Sequence, residues 1–228
     1  GKLVWVLDGY TTSSYYPYSQ RITLQGENLL EKTDINYIRN SVKVLINAYD
    51  GTIKFYITDQ SDPIASAYSK IYPDLFTDEP MASDISSQFI YPEFLYNIQA
   101  EIMQRYHDIQ PDVLYRGNDV WDIATYNTGL TTTKTGVDIE AYYTMVKTVD
   151  SEESKLGLVL PFTPYGKQNI TSYVVGTYED GVPKLTIYKF ASDSNILGPM
   201  QLDTQIEQDE EISNELEALN VTGTRITK

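Results

Sequence analysis

Two runs of strand-forming residues flank the dipeptide Asp50-Gly51, and they constrain the fold more than any other feature. The stretch Ser41–Asp59 reads "SVKVLINAYDGTIKFYITD". Val, Ile, Phe and Tyr favour strands, and an Asp-Gly pair between such runs is typical of a tight type I′ turn. In the second arm, from Ile53 to Ile57, successive side chains point alternately to one face of the strand and to the other. The sequence therefore predicts an antiparallel hairpin that turns at Asp50-Gly51.

Further strand patterns surround this hairpin, and a second hairpin has Glu179-Asp180-Gly181 near its turn. Hairpins dominate and helical patterns lie between them, which favours an α+β fold with a mainly antiparallel sheet and inserted helices packed on it. The other predicted strands are Leu3–Leu7, Arg21–Leu24, Ala141–Val149, Leu156–Leu160 and a last one near Val221–Ile226.

Asp62 and Pro63 predict the start of a helix, because Asp is a preferred N-cap and Pro suits the first turn. Pro73 would end this helix. The helical spacing predicts that one face is buried. That face consists of Ile64, Ala67, Tyr68 and Ile71.

The longest helical pattern covers Tyr91–Tyr106, and an acidic helix, "DEEISNELEAL", closes the chain. Two short helical pieces are expected around Val113–Tyr115 and Val120–Ile123. The predicted apolar stripe of the long helix consists of Tyr91, Leu95, Ile98, Ile102 and Tyr106, and that of the acidic helix of Ile212, Leu216 and Leu219.

The chain of 228 residues is long enough to bury a substantial core. We expect a single α+β domain over residues 1–228, with an internal loop at Asn127–Gly136, "NTGLTTTKTG". The first residues join a strand almost at once and the last ones read as a strand in progress. The pattern indicates a piece taken from a larger protein.

A formal net charge of −15 limits the expected partners. A field of that sign repels phosphate backbones and anionic lipid headgroups, so nucleic acid is not expected to bind. The longest apolar runs, such as Val42–Tyr49, are too short to cross a bilayer, so we expect no direct membrane insertion of this piece.

The chain has no cysteine and one histidine, His107. A Cys/His zinc site, a thiol nucleophile and a disulfide are therefore excluded. A Ser-His-Asp site would have to use His107, which lies at the end of a predicted helix. We assign no catalytic residue and interpret His107 as a helix-end residue.

Carboxylates remain as the abundant chemistry, and an oxygen-rich site would suit calcium. Asp59, Asp62 and Asp150 are the candidate ligands, each near further acidic residues. None of these groups has EF-hand spacing. The alternative is that Asp62 caps a helix and that the other carboxylates are solvated loop charges.

The tyrosine segment, Tyr10–Tyr18, follows the first strand and reads "YTTSSYYPY". Two interpretations stay open: a packed turn that covers the sheet edge, and a binding surface. Glycoside hydrolysis needs two carboxylates and gains from aromatic platforms, so a glycan hydrolase is an alternative function. The candidate binding residues are Tyr10, Tyr15, Tyr16, Tyr18 and Trp121.

Long strings of the sequence resemble a known family. They include "WVLDGYTTSSYYPYSQ", "YPEFLYNIQAEIMQRYH", "DVLYRGNDVWDIA", "PFTPYGKQNI" and "GPMQLDTQIEQDEEIS". Together they resemble uncharacterised protein family 0182, from about Leu3 to Arg225. The resemblance implies a large bacterial integral membrane protein, with transmembrane helices followed by an extracytoplasmic region to which this chain would belong.

The resemblance implies a location on the extracytoplasmic face of the cell membrane and supplies no catalytic residues. We expect a non-catalytic sensing, binding or structural domain, with the rest of the parent protein and an envelope protein or glycan as partners. The alternative is a cell-envelope glycan hydrolase that uses paired carboxylates.

Overall fold

A computed structural model describes residues 2–24, 33–127, 136–147, 153–179, 181–191 and 193–221. The chain forms two compact units, Gly1–Leu95 and Tyr96–Lys228, and each is described by itself. Both combine antiparallel sheets with helices, which confirms the predicted α+β class. Most of the predicted loop at 127–136, and Asp150, lie outside the described residues.

The first unit is built on a three-stranded antiparallel sheet with β4 in its centre. Strand β1 is longer than the predicted Leu3–Leu7, because it continues through Gly9 to Ser13 with an irregularity between Gly9 and Thr11. The strands of the unit are β1 (Val4–Ser13), β2 (Ile22–Leu24), β3 (Thr33–Ile35), β4 (Tyr37–Asn47) and β5 (Ile53–Ile57). Strands β2 and β3 form a separate pair.

The predicted hairpin is present as β4 and β5, but its turn is wider than predicted. Asn47 and Thr52 close the loop, since the Asn47 N–H donates to the Thr52 carbonyl at 2.9 Å. Four residues thus form the loop, where a type I′ turn would have two. Gly51 takes the left-handed conformation at φ 74°, and the Asp50 carboxylate accepts from the Thr52 N–H. That backbone hydrogen bond holds the pKa of Asp50 below its ordinary value.

Helix α1 (Pro63–Ile71) begins at the predicted cap, with the Asp62 carboxylate accepting from the Ile64 N–H at 2.9 Å. The predicted buried face is wrong. Tyr68 and Ile71 are exposed, whereas Ala65 is buried beside the cap. Asp62 draws the helix toward the sheet through hydrogen bonds, so the face that carries the small residue at 65 is covered instead.

Two more helices complete the first unit. A short α2 (Ser83–Ser86) had no clear sequence signal, and α3 (Glu93–Tyr106) matches the predicted long helix and begins within this unit. Tyr91 and Leu95 are buried, as the apolar stripe predicts. In the second unit Ile98 is buried as predicted, but Tyr96 and Ala100 are buried as well and Tyr106 is exposed, so the buried surface of α3 extends beyond the predicted stripe.

The second unit is organised around β10 (Ser154–Pro164), the central strand of a five-stranded antiparallel sheet. One side of β10 pairs with β11, and the other pairs first with β9 and then with β6. The remaining strands are β6 (Trp121–Ile123), β7 (Thr125–Tyr126), β8 (Val137–Asp138), β9 (Tyr142–Lys147), β11 (Ser172–Glu179) and β12 (Val182–Lys189). The second predicted hairpin is β11 and β12, closed by the pair Glu179–Val182 with Gly181 at φ 81°.

The helical piece predicted at Val120–Ile123 is wrong, because Trp121–Ile123 forms strand β6. Its partner Pro164 lies 43 residues further along the chain, opposite Trp121. The piece predicted near Val113–Tyr115 is helix α4 (Pro111–Arg116). The sheet core of this unit includes Leu158, Val159, Leu160, Phe162, Val174 and Val175.

Two helices follow the second sheet, α5 (Pro199–Gln208) and α6 (Glu210–Val221). The sequence predicted α6, although Ile212 of its apolar stripe is exposed and the side chains of Leu216 and Leu219 lie outside the described residues. Val221, predicted to start a strand, still belongs to α6, and residues 222–228 are not described. No helix in the described ranges has the length and apolarity that crossing a bilayer requires.

Candidate functional site

The tyrosine segment starts inside β1 and ends in an exposed turn. Tyr10 belongs to the strand, and its ring contacts the Phe94 ring at a centroid distance of 5.2 Å. Tyr15 is 87% exposed and Tyr18 is fully exposed. Tyr16 is also exposed, and its ring stacks on that of Tyr37 at 5.7 Å. Tyr10 thus takes part in packing, while Tyr15 and Tyr18 present their rings to the outside.

Asn36 fixes the backbone of this turn from a position outside the segment. Its Oδ1 accepts from the Tyr16 N–H at 2.9 Å. Its Nδ2 donates to the Tyr16 carbonyl at 2.8 Å and to the Ser19 carbonyl at 3.2 Å. The Asn36 N–H also donates to the Ser13 carbonyl. The exposed tyrosines are therefore held on a turn whose shape is set by four hydrogen bonds.

Tyr18 has a backbone φ of 60°, and no other non-glycine residue among those described has a positive φ. An L-residue in this left-handed region costs about 1–2 kcal/mol, and such residues cluster at functional sites. The Asn36 bonds to the flanking residues hold it there. Tyr18 therefore occupies a backbone conformation that is strained for tyrosine and would be unstrained for glycine.

Asp62 links β1, β4 and α1 through hydrogen bonds. Its carboxylate accepts from Thr11 Oγ1 and Ser41 Oγ at 2.5 Å each, from the Tyr37 hydroxyl at 3.0 Å and from the Ile64 N–H at 2.9 Å. Asp62 and Ser41 are fully buried. A carboxylate offers about four acceptor positions, so these four donors saturate it.

Hydrogen bonding decides the ionisation of this carboxyl group. Burial by itself raises the pKa of Asp62, but the donors from Ser41, Thr11, Ile64 and Tyr37 outweigh burial and hold the pKa below its ordinary value. Burial and the hydrogen bond to Asp62 raise the pKa of Tyr37 in turn. The cluster therefore favours an ionised Asp62 beside a neutral phenol.

The other two candidate calcium ligands do not join Asp62. Asp59 accepts from Ser61 and pairs with Arg39 at 3.2 Å, and the Ser61 hydroxyl is the main cause of its lowered pKa. Asp150 is not described, so calcium binding through it stays a prediction. Over the ranges given above, no three His, Cys, Asp or Glu side chains gather in a way that could hold a metal.

A buried lysine occupies the same side of β4 as Ser41. Lys43 is 2% exposed, forms an ion pair with Asp8, and lies 5.1 Å from the centre of the Phe89 ring. Lysine is almost never buried unless it is paired, and both contacts supply that pairing. Sequence reasoning missed Lys43 and Asn36. The signal for Lys43 was its position between Val42 and Val44, with the polar Ser41 two residues before it on the same face of the strand.

His107 follows the end of α3, as the sequence predicts, and its side chain is completely buried. The ring stacks on Trp121 at a centroid distance of 3.5 Å and an angle of 10°. Nδ1 lies 2.9 Å from the Met103 carbonyl and Nε2 lies 3.1 Å from Asp119 Oδ2. Each ring nitrogen therefore lies within hydrogen-bond distance of an oxygen atom, and the two contacts fix the orientation of the ring.

The burial of this pair bears on two sequence predictions. Trp121 is 3% exposed, with Lys189 Nζ 5.2 Å from its ring centre, so the predicted ligand-stacking role has no open ring face to use. His107 is equally inaccessible to an outside substrate. The candidate site is therefore the turn that carries Tyr15, Tyr16 and Tyr18, without Trp121.

Comparison with known proteins gives the family. The model of the Uncharacterised protein family (UPF0182) matches residues 1–219. The chain belongs to this family. UPF0182 proteins from Caldicellulosiruptor saccharolyticus, Methanospirillum hungatei and Clostridium kluyveri are similar to it, with 40%, 38% and 36% identity. These matches cover 100%, 100% and 99% of the chain and 24%, 25% and 24% of those proteins.

The family match confirms the resemblance of the sequence strings. The chain spans about a quarter of the length of the curated relatives that it matches. No solved structure matches it. The family name carries no activity, so function has to be argued from the geometry of the residues.

Proposed function

We propose that this chain is a non-catalytic binding module in the extracytoplasmic part of a multi-pass membrane protein, and that it binds glycan strands of the cell envelope. The observation that carries the proposal is the turn at residues 14–20, where three exposed tyrosines stand on a fixed backbone. Tyrosine supplies a large amphipathic contact at low entropic cost, and a rigid turn lowers the ordering cost of binding.

The surroundings of the turn fit an uncharged polar ligand. Hydroxyl and amide side chains flank the rings at Ser14, Ser19 and Gln20. The net charge of −15 disfavours polyanions. Flat sugar faces on tyrosine rings, with hydroxyl groups nearby for hydrogen bonds, match this composition. The location rests on the family resemblance, and relatives about four times as long have ample length for membrane-spanning segments elsewhere.

The state of the carboxylates supports binding without hydrolysis. A general acid in a glycosidase needs a raised pKa. Where carboxyl pKa values are clearly displaced among the described residues, they are lowered; this holds for Asp50, Asp59, Asp62, Glu79 and Glu179. Lys54 lowers the pKa of Glu79 through a direct hydrogen bond. These groups are suited to pairing and capping.

Tyr18→Gly separates binding from folding. Glycine relieves the left-handed strain of about 1–2 kcal/mol but raises the entropy of the unfolded chain by a similar amount, so stability should change by less than about 1 kcal/mol. We expect affinity for β-1,4-linked N-acetylglucosamine oligomers to fall at least about tenfold, equivalent to about 1.4 kcal/mol. Isothermal titration calorimetry measures the affinity and a urea titration measures the stability.

Two further variants complete this test. Asn36→Ala keeps every tyrosine but frees the turn, and we expect it to weaken binding as well. Tyr115→Ala removes another highly exposed tyrosine far along the sequence and should leave affinity unchanged. Equal affinity of wild type, Tyr18→Gly and Asn36→Ala for the oligomers would contradict the proposal.

A further inference from the structure

The sheet of the first unit has one continuous apolar face. Paired residues on neighbouring antiparallel strands share a face. Trp5 pairs with Ile46 and Leu7 with Val44, and the same two residues of β4 pair with Ile53 and Phe55 of β5. These six residues define the apolar face, and none of them is charged. Phe76 extends it beyond β5, where its ring meets that of Phe55 edge-on at 6.4 Å.

The opposite face of the same sheet is covered along the central strand β4, where it includes polar side chains. Alternate residues of β4 on that side are Ser41, Lys43 and Leu45, and all three are buried. On the apolar face Trp5 is 68% exposed, Ile53 is 53% exposed and Leu7 is 47% exposed. The sheet thus departs from the usual pattern, since it buries a lysine on one face and exposes a tryptophan on the other.

This arrangement indicates that the apolar face is covered by another surface rather than left in contact with water. A sheet covered on one side normally carries its polar residues on the solvated side. Burying apolar surface is favourable, and large exposed apolar patches on soluble domains mark interaction sites. The described residues of the first unit leave this face open at three of its six positions.

The length of the relatives indicates what covers the apolar face. The chain aligns over its whole length with proteins of which it forms about a quarter, so three quarters of a family polypeptide lie outside it. A second copy would bring another 15 negative charges against the first. We propose that an apolar segment from the remaining three quarters of the family polypeptide packs on the apolar face. This inference rests on the family match and is independent of the tyrosine turn.

Site-specific photo-crosslinking in the full-length protein, in its native membrane, tests this assignment. Ile53→p-benzoylphenylalanine places the probe on the apolar face, and Leu7→p-benzoylphenylalanine repeats it on the edge strand in case position 53 impairs folding. Lys54→p-benzoylphenylalanine is the matched control, because residue 54 is adjacent but faces the other side, where Lys54 pairs with Glu79. Mass spectrometry of the digested monomer band identifies the crosslinked peptides.

We expect positions 53 and 7 to crosslink to peptides outside residues 1–228 of the same polypeptide, and position 54 to crosslink within residues 1–95. Crosslinks from 53 and 7 to a second copy, to lipid or to residues 96–228 would overturn the proposal. The absence of any protein crosslink from both positions, with the control crosslinking, would overturn it as well.

Discussion

Replacing Asp62 by alanine is expected to destabilise the first unit by about 4 kcal/mol. The change removes a helix cap, worth about 1 kcal/mol, and leaves buried donors without an acceptor at about 1–3 kcal/mol each. Those donors are the hydroxyls of Thr11 and Ser41 and the Ile64 N–H. Asp62→Asn keeps the shape and can reverse the hydroxyl bonds, so we expect a smaller loss of about 1–2 kcal/mol.

The same carboxylate makes stability depend on pH with a defined sign. The pKa of Asp62 is lower in the folded protein than in the unfolded chain, where it is about 3.9. Its stabilising contribution is therefore complete above pH of about 4 and is lost as pH falls through the folded pKa. In Asp62→Asn this part of the acid sensitivity should disappear.

The two tryptophans allow each unit to be followed separately, because Trp5 lies in the first and Trp121 in the second. With 5-fluorotryptophan, the ¹⁹F resonance of residue 5 reports urea unfolding of the first unit. Asp59→Ala is the control, since this carboxylate is partly exposed and its pair with Arg39 should contribute about 1 kcal/mol or less. A loss below about 1 kcal/mol for Asp62→Ala would contradict the role of Asp62 in joining β1, β4 and α1.

Replacing His107 by alanine is expected to destabilise the second unit by about 3 kcal/mol. The change opens a cavity against the Trp121 ring and removes hydrogen bonds to Met103 and Asp119, one of them to a charged group. The ¹⁹F resonance of Trp121 should also move in the folded state, because the stacked ring is gone.

Tyr106→Ala is the matched control for this prediction, because Tyr106 is the adjacent residue and its ring is exposed. We expect it to cost about 1 kcal/mol or less. Equal losses for the two variants would show that the His107–Trp121 stack has no special part in the stability of the second unit.

Local sequence signals predicted elements well where the deciding partner is a near neighbour. Asp62 and Pro63 fix the start of α1 because the capping bond reaches only to residue 64. The buried face of α1 could not be predicted in the same way. It depends on Thr11 and Ser41, which lie 51 and 21 residues away, and they bring a face of small and polar residues against the sheet.

The same reason explains the other differences. Trp121–Ile123 becomes a strand because it pairs with β10 about 40 residues later, and a run of three residues has no period of its own. The hairpin position followed from Asp50-Gly51, but the loop length depends on the Asn47–Thr52 bond. In the tyrosine segment, neither Asn36 nor the left-handed Tyr18 was visible from the local pattern.

Part of the candidate site was predictable and part was not. Aromatic composition indicated Tyr15, Tyr16 and Tyr18, which the structure places together on one exposed turn. The same composition also indicated Trp121, which is buried against His107. The three tyrosines differ from Trp121 in their exposure to solvent. That exposure depends on packing between distant parts of the chain.

We expect the protein to bind glycan without hydrolysing it, and one assay measures both binding and hydrolysis. Purified peptidoglycan is incubated with the protein and pelleted; the pellet is assayed for bound protein and the supernatant for released reducing ends. We predict that wild-type protein pellets with the glycan, that Tyr18→Gly stays in solution, and that neither releases reducing ends above buffer. Release of reducing ends by the wild type, abolished by a single Asp→Asn or Glu→Gln change, would contradict this account and identify a glycan hydrolase.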